Sequence, residues 1–254
     1  MEFNDTVQSE DLDFDDLLVI EDIDIGDEAE LRQVIAEVEA LVGAPGKGLR
    51  VSVLTAEQWE TVLQRRLPRQ LRRGAEHHFH VLSDPVDPQH LLISPSAVRG
   101  INEGSQHIYQ EVVYTALRCI PTNLSRPLRK GLDDLLAEEC GRRIGVELFV
   151  RTYPRESELV RGILSVLTVD FDYQLLDWGI LLRKNPERVL KAFTKTKFAQ
   201  RWPQRIATEG FELKTTTLSL VKLLTADPMP FKDPLVLLTE QMITEYLIEG
   251  AKKT

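Results

Sequence analysis

The sequence predicts an α+β protein in which a small mixed sheet precedes a mostly helical C-terminal half. Three short apolar segments, at 49–54, 79–82 and 90–93, are separated by turn-forming residues, which is typical of strands. From Gln106 onward, apolar residues recur at the three- and four-residue spacing of amphipathic helices. At 254 residues, 43% of them hydrophobic, the chain is long enough to bury a substantial core.

Before the sheet, residues 1–26 interleave apolar and acidic side chains so densely that we expect a disordered tail. A short binding motif and an extra edge strand are the alternatives. Apolar residues at helical spacing predict a first helix between Asp27 and Gly43. A second helix, at 56–67, follows the first strand and leads into a basic cluster. The cluster consists of Arg65, Arg66, Arg69, Arg72 and Arg73.

The helical half is punctuated by prolines, which end helices because they lack an N–H donor. Helices are predicted at 106–119, 127–144, 155–168, 170–183, 186–200, 215–224 and 233–250. The chain therefore divides, after the tail, into an α+β unit at 27–150 and a helical subdomain at 151–254.

The most informative stretch, from His107 to Cys140, has the layout of a zinc-peptidase site whose metal ligands are replaced. Such a site needs His-Glu-x-x-His on one helix. The two His then share one helical face, and the Glu activates the metal-bound water. Here the corresponding residues are Gln110-Glu111-Val112-Val113-Tyr114. On the next helix Lys130 precedes Gly131, where the glutamate branch of these enzymes carries its third ligand.

This pattern resembles the gluzincin metallopeptidases, in particular the short forms called minigluzincins. The resemblance rests on the two helices and on the segment Arg126-Pro127-Leu128-Arg129-Lys130-Gly131-Leu132, and it extends weakly from about Glu30 to Trp202. It implies a zincin-like small mixed sheet packed on the active-site-type helices, with a groove between them.

The resemblance also implies that an edge strand borders the groove. The residues that match this strand are His90, Leu92 and Ser94. The edge of a strand can bind an extended peptide through main-chain hydrogen bonds without any metal chemistry.

The three replaced positions argue against a catalytic zinc. Gln110 is a poor ligand, Tyr114 carries a phenol that titrates near 10, and Lys130 repels a cation. We therefore expect no metal and no cofactor. Glu111 is expected to pair with Lys130 across the two helices, and an exposed Glu111 without a partner is the alternative.

A relocated metal site is the alternative for the chemistry. His107 and Glu111 lie one helical turn apart, so they could present two ligands, with His80 or His90 as the third. Nucleophilic catalysis has no comparable support, because Cys119 lacks a histidine partner in helical register.

The net charge of −9 conceals an asymmetry. Residues 1–30 carry 13 acidic and no basic residues, which leaves 27 acidic and 31 basic residues in the rest of the chain. We expect the acidic tail to engage the arginine cluster or a basic partner. The acidic chain and the absence of aromatic residues within the cluster argue against specific nucleic-acid binding. No apolar run reaches the roughly 18 residues that a membrane-spanning helix needs.

Together these features predict a catalytically inactive, gluzincin-like protein that binds a peptide or protein partner in a bacterial-type cytoplasm. The cytoplasmic location follows from acidic residues where a secretory signal would carry lysines. The expected groove floor consists of His107, Gln110, Glu111, Tyr114 and Lys130. The alternatives are a metal-dependent hydrolase built around His107 and Glu111, and a structural subunit whose helical half docks into a larger assembly.

Overall fold

The computed structural model describes residues 27–42, 48–147, 152–211 and 217–252. Within these ranges the protein is mostly helical and contains one three-stranded sheet, which confirms the predicted α+β class. The acidic tail at 1–26 lies outside the described residues, so the expectations about its disorder and its contacts stay predictions.

The N-terminal part alternates helices with short strands. Its elements are α1 (Ala29–Val42), β1 (Arg50–Val53), α2 (Ala56–Arg66), two 3-10 turns (Arg69–Leu71 and Ala75–His77), β2 (Val81–Ser83), β3 (His90–Ile93) and α3 (Pro95–Asn102). Helix α3 was not predicted from the sequence. Its cap is Ser94, whose hydroxyl accepts the N–H of Ala97, and Pro95 occupies the first turn.

The remaining elements are all helical. They are α4 (Gln106–Cys119), α5 (Arg126–Ile144), α6 (Pro154–Asp170), α7 (Leu175–Lys184), α8 (Pro186–Phe193), α9 (Lys197–Thr208), α10 (Thr217–Leu224) and α11 (Pro234–Ala251). The predicted single helix at 186–200 is wrong. A new helix starts after Thr196, whose hydroxyl accepts the N–H of Ala199. No helix within the described ranges is both long and apolar enough to cross a membrane.

Strand β3 lies in the middle of the sheet. It pairs in parallel with β1, with Arg50 opposite His90, and antiparallel with β2, with Val81 opposite Ile93. The edges of the described sheet are therefore β1 and β2.

The prediction that His90, Leu92 and Ser94 form an edge strand is wrong. The main chain of these residues is used within the sheet, and the N–H of Ser94 donates to the carbonyl of His80 at 2.9 Å. Leu91 and Ile93 are fully buried. A strand covered so completely suits the centre of a sheet, so any peptide would have to approach a different strand.

One hydrophobic core runs from α1 to α11, and a smaller cluster under α2 contains Trp59 and Leu92. The two predicted units therefore share a core, and the boundary between them falls within 148–151, outside the described residues. Helices α5 and α6 approach closely at Gly131, where a Cβ atom would lie 2.1 Å from the main-chain oxygen of Glu156. Only glycine fits this position without moving α6.

Candidate functional site

One face of α4 and Thr152, two residues before α6 begins, form a small open cleft with a cavity of about 200 Å³. Its lining residues are His107, Gln110, Glu111, Tyr114, Thr115, Arg118 and Thr152. The α4 residues recur at three- and four-residue spacing, so they share one helical face. Four of the five predicted floor residues thus come together, and Lys130 is not among the lining residues.

Glu111 fixes strand β2 to helix α4. Its Oε1 accepts the backbone N–H of His80 at 2.8 Å and that of Val81 at 3.0 Å. Its Oε2 is buried and has no hydrogen-bond partner in the part of the chain that the structure describes. The side chain that the resemblance assigns to the general-base position therefore holds edge strand β2 against α4.

Lys130 has partners other than the predicted one. Its ammonium lies 3.9 Å from Oε1 of Glu156 and 4.4 Å from the centroid of the Tyr153 ring. The expected ion pair between Glu111 and Lys130 is therefore not formed. The reason is that residues 153–156, at the entrance to α6, supply both an anion and an aromatic face beside Lys130.

Tyr114 is held as a hydrogen-bond donor inside the site. Its hydroxyl donates to Oδ1 of the buried Asp134 at 2.6 Å. Burial and this hydrogen bond raise the pKa of the Tyr114 phenol well above its usual value. Asp134 also accepts the backbone N–H of Thr152 at 3.1 Å and that of Tyr153 at 2.8 Å. One carboxylate therefore fixes both walls of the cleft.

The neighbouring residue, Asp133, secures the end of α4 through Arg183. The guanidinium donates to Oδ1 of Asp133 at 2.8 Å and to the main-chain oxygens of Leu117 at 2.5 Å and Ile120 at 2.8 Å. Burial raises the pKa of Asp133 to about 6, although Arg183 and Arg129 act in the opposite direction. The sequence gives no sign of this pair, because its members are 50 residues apart.

The buried His80 lies beside the cleft. Its Nδ1 is 3.0 Å from Oγ of Ser96, and its ring meets that of His107 edge-on at 6.4 Å. Burial lowers the pKa of His80, while Glu111 acts in the opposite direction. Among the residues that the structure describes, no group of three His, Cys, Asp or Glu side chains is placed to hold a metal. The relocated metal site at His107 and Glu111 therefore has no third ligand among the described residues.

His90 belongs to a different cluster, which sequence reasoning missed. Its Nε2 is 2.8 Å from Oγ of Ser52, and its Nδ1 is 3.5 Å from Oδ2 of Asp84. This order of groups matches that of a Ser-His-Asp triad. However, Asp84 also accepts the N–H of Val86 and lies 3.6 Å from Arg66. We assign the cluster a structural role, because it ties β1 to the turn between β2 and β3.

The arginine cluster lies at the end of α2 and in the turn after it. Arg66 differs from the others, because it is partly buried beside Asp84 and donates to the carbonyl of Ser83. The remaining members are exposed: Arg65, Arg69, Arg72 and Arg73. The basic surface predicted from the sequence is therefore accessible, and its contact with the acidic tail stays a prediction.

Comparisons of the chain with protein-family models, with curated proteins and with solved structures find no match. The gluzincin resemblance therefore rests on residue types and spacing alone.

Proposed function

We propose that this protein is a catalytically inactive, gluzincin-like protein whose cleft binds a short segment of another protein. The observation that carries the proposal is the engagement of Glu111. A general base must present an oxygen to water, whereas Oε1 of Glu111 accepts the backbone N–H groups of His80 and Val81 and Oε2 is buried.

The side chains at two of the ligand positions are also engaged in other contacts. Tyr114 donates to Asp134, and Lys130 lies between Glu156 and Tyr153. In metal sites the carboxylate beside a ligating histidine orients that ligand. Here Asp134 orients a phenol instead. These contacts favour a role in which the inherited site stabilises the cleft walls rather than performing hydrolysis.

The size of the cavity limits what it can hold. At about 200 Å³ it is smaller than the roughly 300–1,000 Å³ of pockets that enclose a drug-sized ligand. It suits one side chain or one chain terminus. Strand addition along β2 is a poorer fit, because the N–H of Val81 is already bound by Glu111. The proposal therefore replaces binding along His90–Ser94 with binding in the cleft.

A cavity-filling variant tests this proposal. Peptides selected from an unbiased displayed library on the untagged protein are expected to lose binding, measured by fluorescence polarisation, in Thr115→Trp, which fills the cleft. Thr61→Trp, at an exposed position of α2, is the matched control and should bind as the wild type does. Equal binding by both variants would contradict the proposal.

Metal analysis provides a second readout on the same preparation. The untagged protein is expected to purify without stoichiometric zinc and to leave unfolded casein intact. One zinc per chain, with a casein-cleaving activity that a chelator abolishes, would show that the protein is an enzyme.

A further inference from the structure

We propose that Arg118 anchors a carboxylate group in the cleft, so that the cleft recognises a segment through a C-terminal carboxylate or an Asp or Glu side chain. This inference rests on the proposed function, because it identifies the ligand chemistry of the same cleft.

Two tyrosine rings hold the guanidinium of Arg118 in place. Its central carbon lies 5.9 Å from the ring centroid of Tyr114 and 5.8 Å from that of Tyr153. One terminal nitrogen donates to the hydroxyl of Tyr153 at 3.0 Å. Asp134 accepts the hydroxyl of Tyr114 and the backbone N–H of Tyr153. These bonds fix the side chain of one tyrosine and the main chain of the other, so the arginine is partly positioned before any ligand arrives and less side-chain entropy is lost on binding.

The charge of Arg118 acts on the buried Asp133, but that carboxylate is already bound by Arg183. None of the ion pairs that join described residues includes Arg118. In contrast, Lys130 lies near Glu156, and Arg129 lies 3.8 Å from Asp133. A planar guanidinium that retains unused N–H donors suits a carboxylate, which can accept two parallel hydrogen bonds.

The rest of the cleft determines the orientation in which the ligand binds. Thr115, three residues before Arg118, and Thr152, on the opposite wall, also line the cleft, so their hydroxyl groups can contribute to binding. Glu111 lies seven residues before Arg118, about 10 Å away along the helix axis. Its negative charge repels a carboxylate from that end and favours donor groups there. A carboxylate is therefore directed to the Arg118 end of the cleft.

Small peptides test the inference. The probes are acetyl-Ala-Ala-Ala with a free C-terminal carboxylate, the same peptide as its amide, and acetyl-Ala-Asp-Ala-amide. Binding is followed by chemical-shift changes of the backbone and arginine side-chain N–H signals of the ¹⁵N-labelled, full-length protein, because the backbone signals remain in the Arg118 variants. Arg118→Gln and Arg118→Lys are the variants, and Arg99→Gln, at an exposed position of α3, is the matched control.

We expect saturable binding of at least one carboxylate-bearing peptide, weakened roughly tenfold or more in Arg118→Gln and by added salt. Arg118→Lys should bind with intermediate strength, because an ammonium keeps the charge but loses the two-pronged geometry. The amide should bind weakly, and Arg99→Gln should behave as the wild type. Comparing the free acid with the Asp peptide shows whether the cleft binds a terminal or a side-chain carboxylate.

Other results would overturn the inference. These are equal binding of the acids and the amide, unchanged binding in folded Arg118→Gln, or no shift with any carboxylate at millimolar concentration. An experiment that contradicts this inference can be distinguished from one that contradicts the proposed function. If library-selected peptides still depend on Thr115 but ignore Arg118, the cleft binds a segment by another chemistry.

Discussion

Three residues of the candidate site each have specific partners within the fold. Glu111 binds the backbone of β2, Tyr114 binds Asp134, and Lys130 lies between an acid and an aromatic ring. The helical spacing of α4 made the grouping of His107, Gln110, Glu111 and Tyr114 predictable. The partners of Glu111 were not predictable, because they lie 30 and 31 residues away in the sequence.

Burial of His80 predicts a loss of stability in mild acid. Its pKa in the folded protein is lowered from an ordinary value of 6.5, so the unfolded chain binds the proton more readily just below that pH. The free energy of unfolding is therefore expected to fall as the pH drops through 6.5 towards the folded pKa. Glu111 and His107 face the ring and act in opposite directions.

Urea unfolding between pH 5 and 8 checks this prediction. His80→Asn should flatten the dependence, whereas His77→Asn, at an exposed position, should change it much less, because His77 is a lesser cause of the lowered pKa of His80. If both variants follow the wild-type curve, His80 is not responsible for the acid sensitivity.

At the scale of elements, the sequence allowed the helix bounds to be predicted but not the order of the strands in the sheet. The bounds of α4 and α5 matched to within one residue, because apolar spacing and the proline at 127 mark them. The order of the sheet could not be read from the sequence, since an apolar run such as His90–Ile93 suits an edge as well as a centre. The resemblance placed this strand at the edge, and the parallel pairing with β1 places it in the centre.

The close contact between α5 and α6 predicts that a small substitution lowers the free energy of unfolding by an unusually large amount. In Gly131→Ala the new methyl group would meet the backbone of α6, and overpacking of this kind costs about 1–3 kcal/mol or more. At Gly162 a Cβ would meet only a side-chain methyl of Ile243, at 3.0 Å. Gly162→Ala should therefore change stability by less than about 1 kcal/mol, because the gain in helix propensity offsets the contact.

Denaturant midpoints of the two glycine variants provide the measurement. A Gly131→Ala protein as stable as Gly162→Ala would mean that α5 and α6 are further apart than described.

For the whole molecule, the shared core and the pair formed by Asp133 and Arg183 join the parts of the chain on either side of residue 150. Arg183 on α7 reaches the carboxylate of α5 and two carbonyls at the end of α4. We therefore expect one cooperative unfolding transition, with fluorescence and circular dichroism giving the same midpoint.

Removing one member of this pair should be costly. Arg183→Met removes the hydrogen-bonded partner of the buried Asp133 carboxylate and leaves, among the described ion pairs, only the one with Arg129, at 3.8 Å. It should lower the free energy of unfolding by about 3–5 kcal/mol. The double variant with Asp133→Leu should recover part of the loss, because the buried carboxylate is removed as well. Arg188→Met, at an exposed position of α8, is the control for urea unfolding. A double variant no more stable than Arg183→Met would contradict this account.

The bond between Glu111 and strand β2 also has a consequence for the order of assembly. β2 is three residues long, and a hairpin of this size is at best marginally stable by itself. Its outer side is supported by a helix that the ribosome completes some 30 residues later. The sheet is therefore expected to acquire its third strand only after α4 has docked. Amide exchange at Val81 would then report when the two halves of the fold come together during refolding.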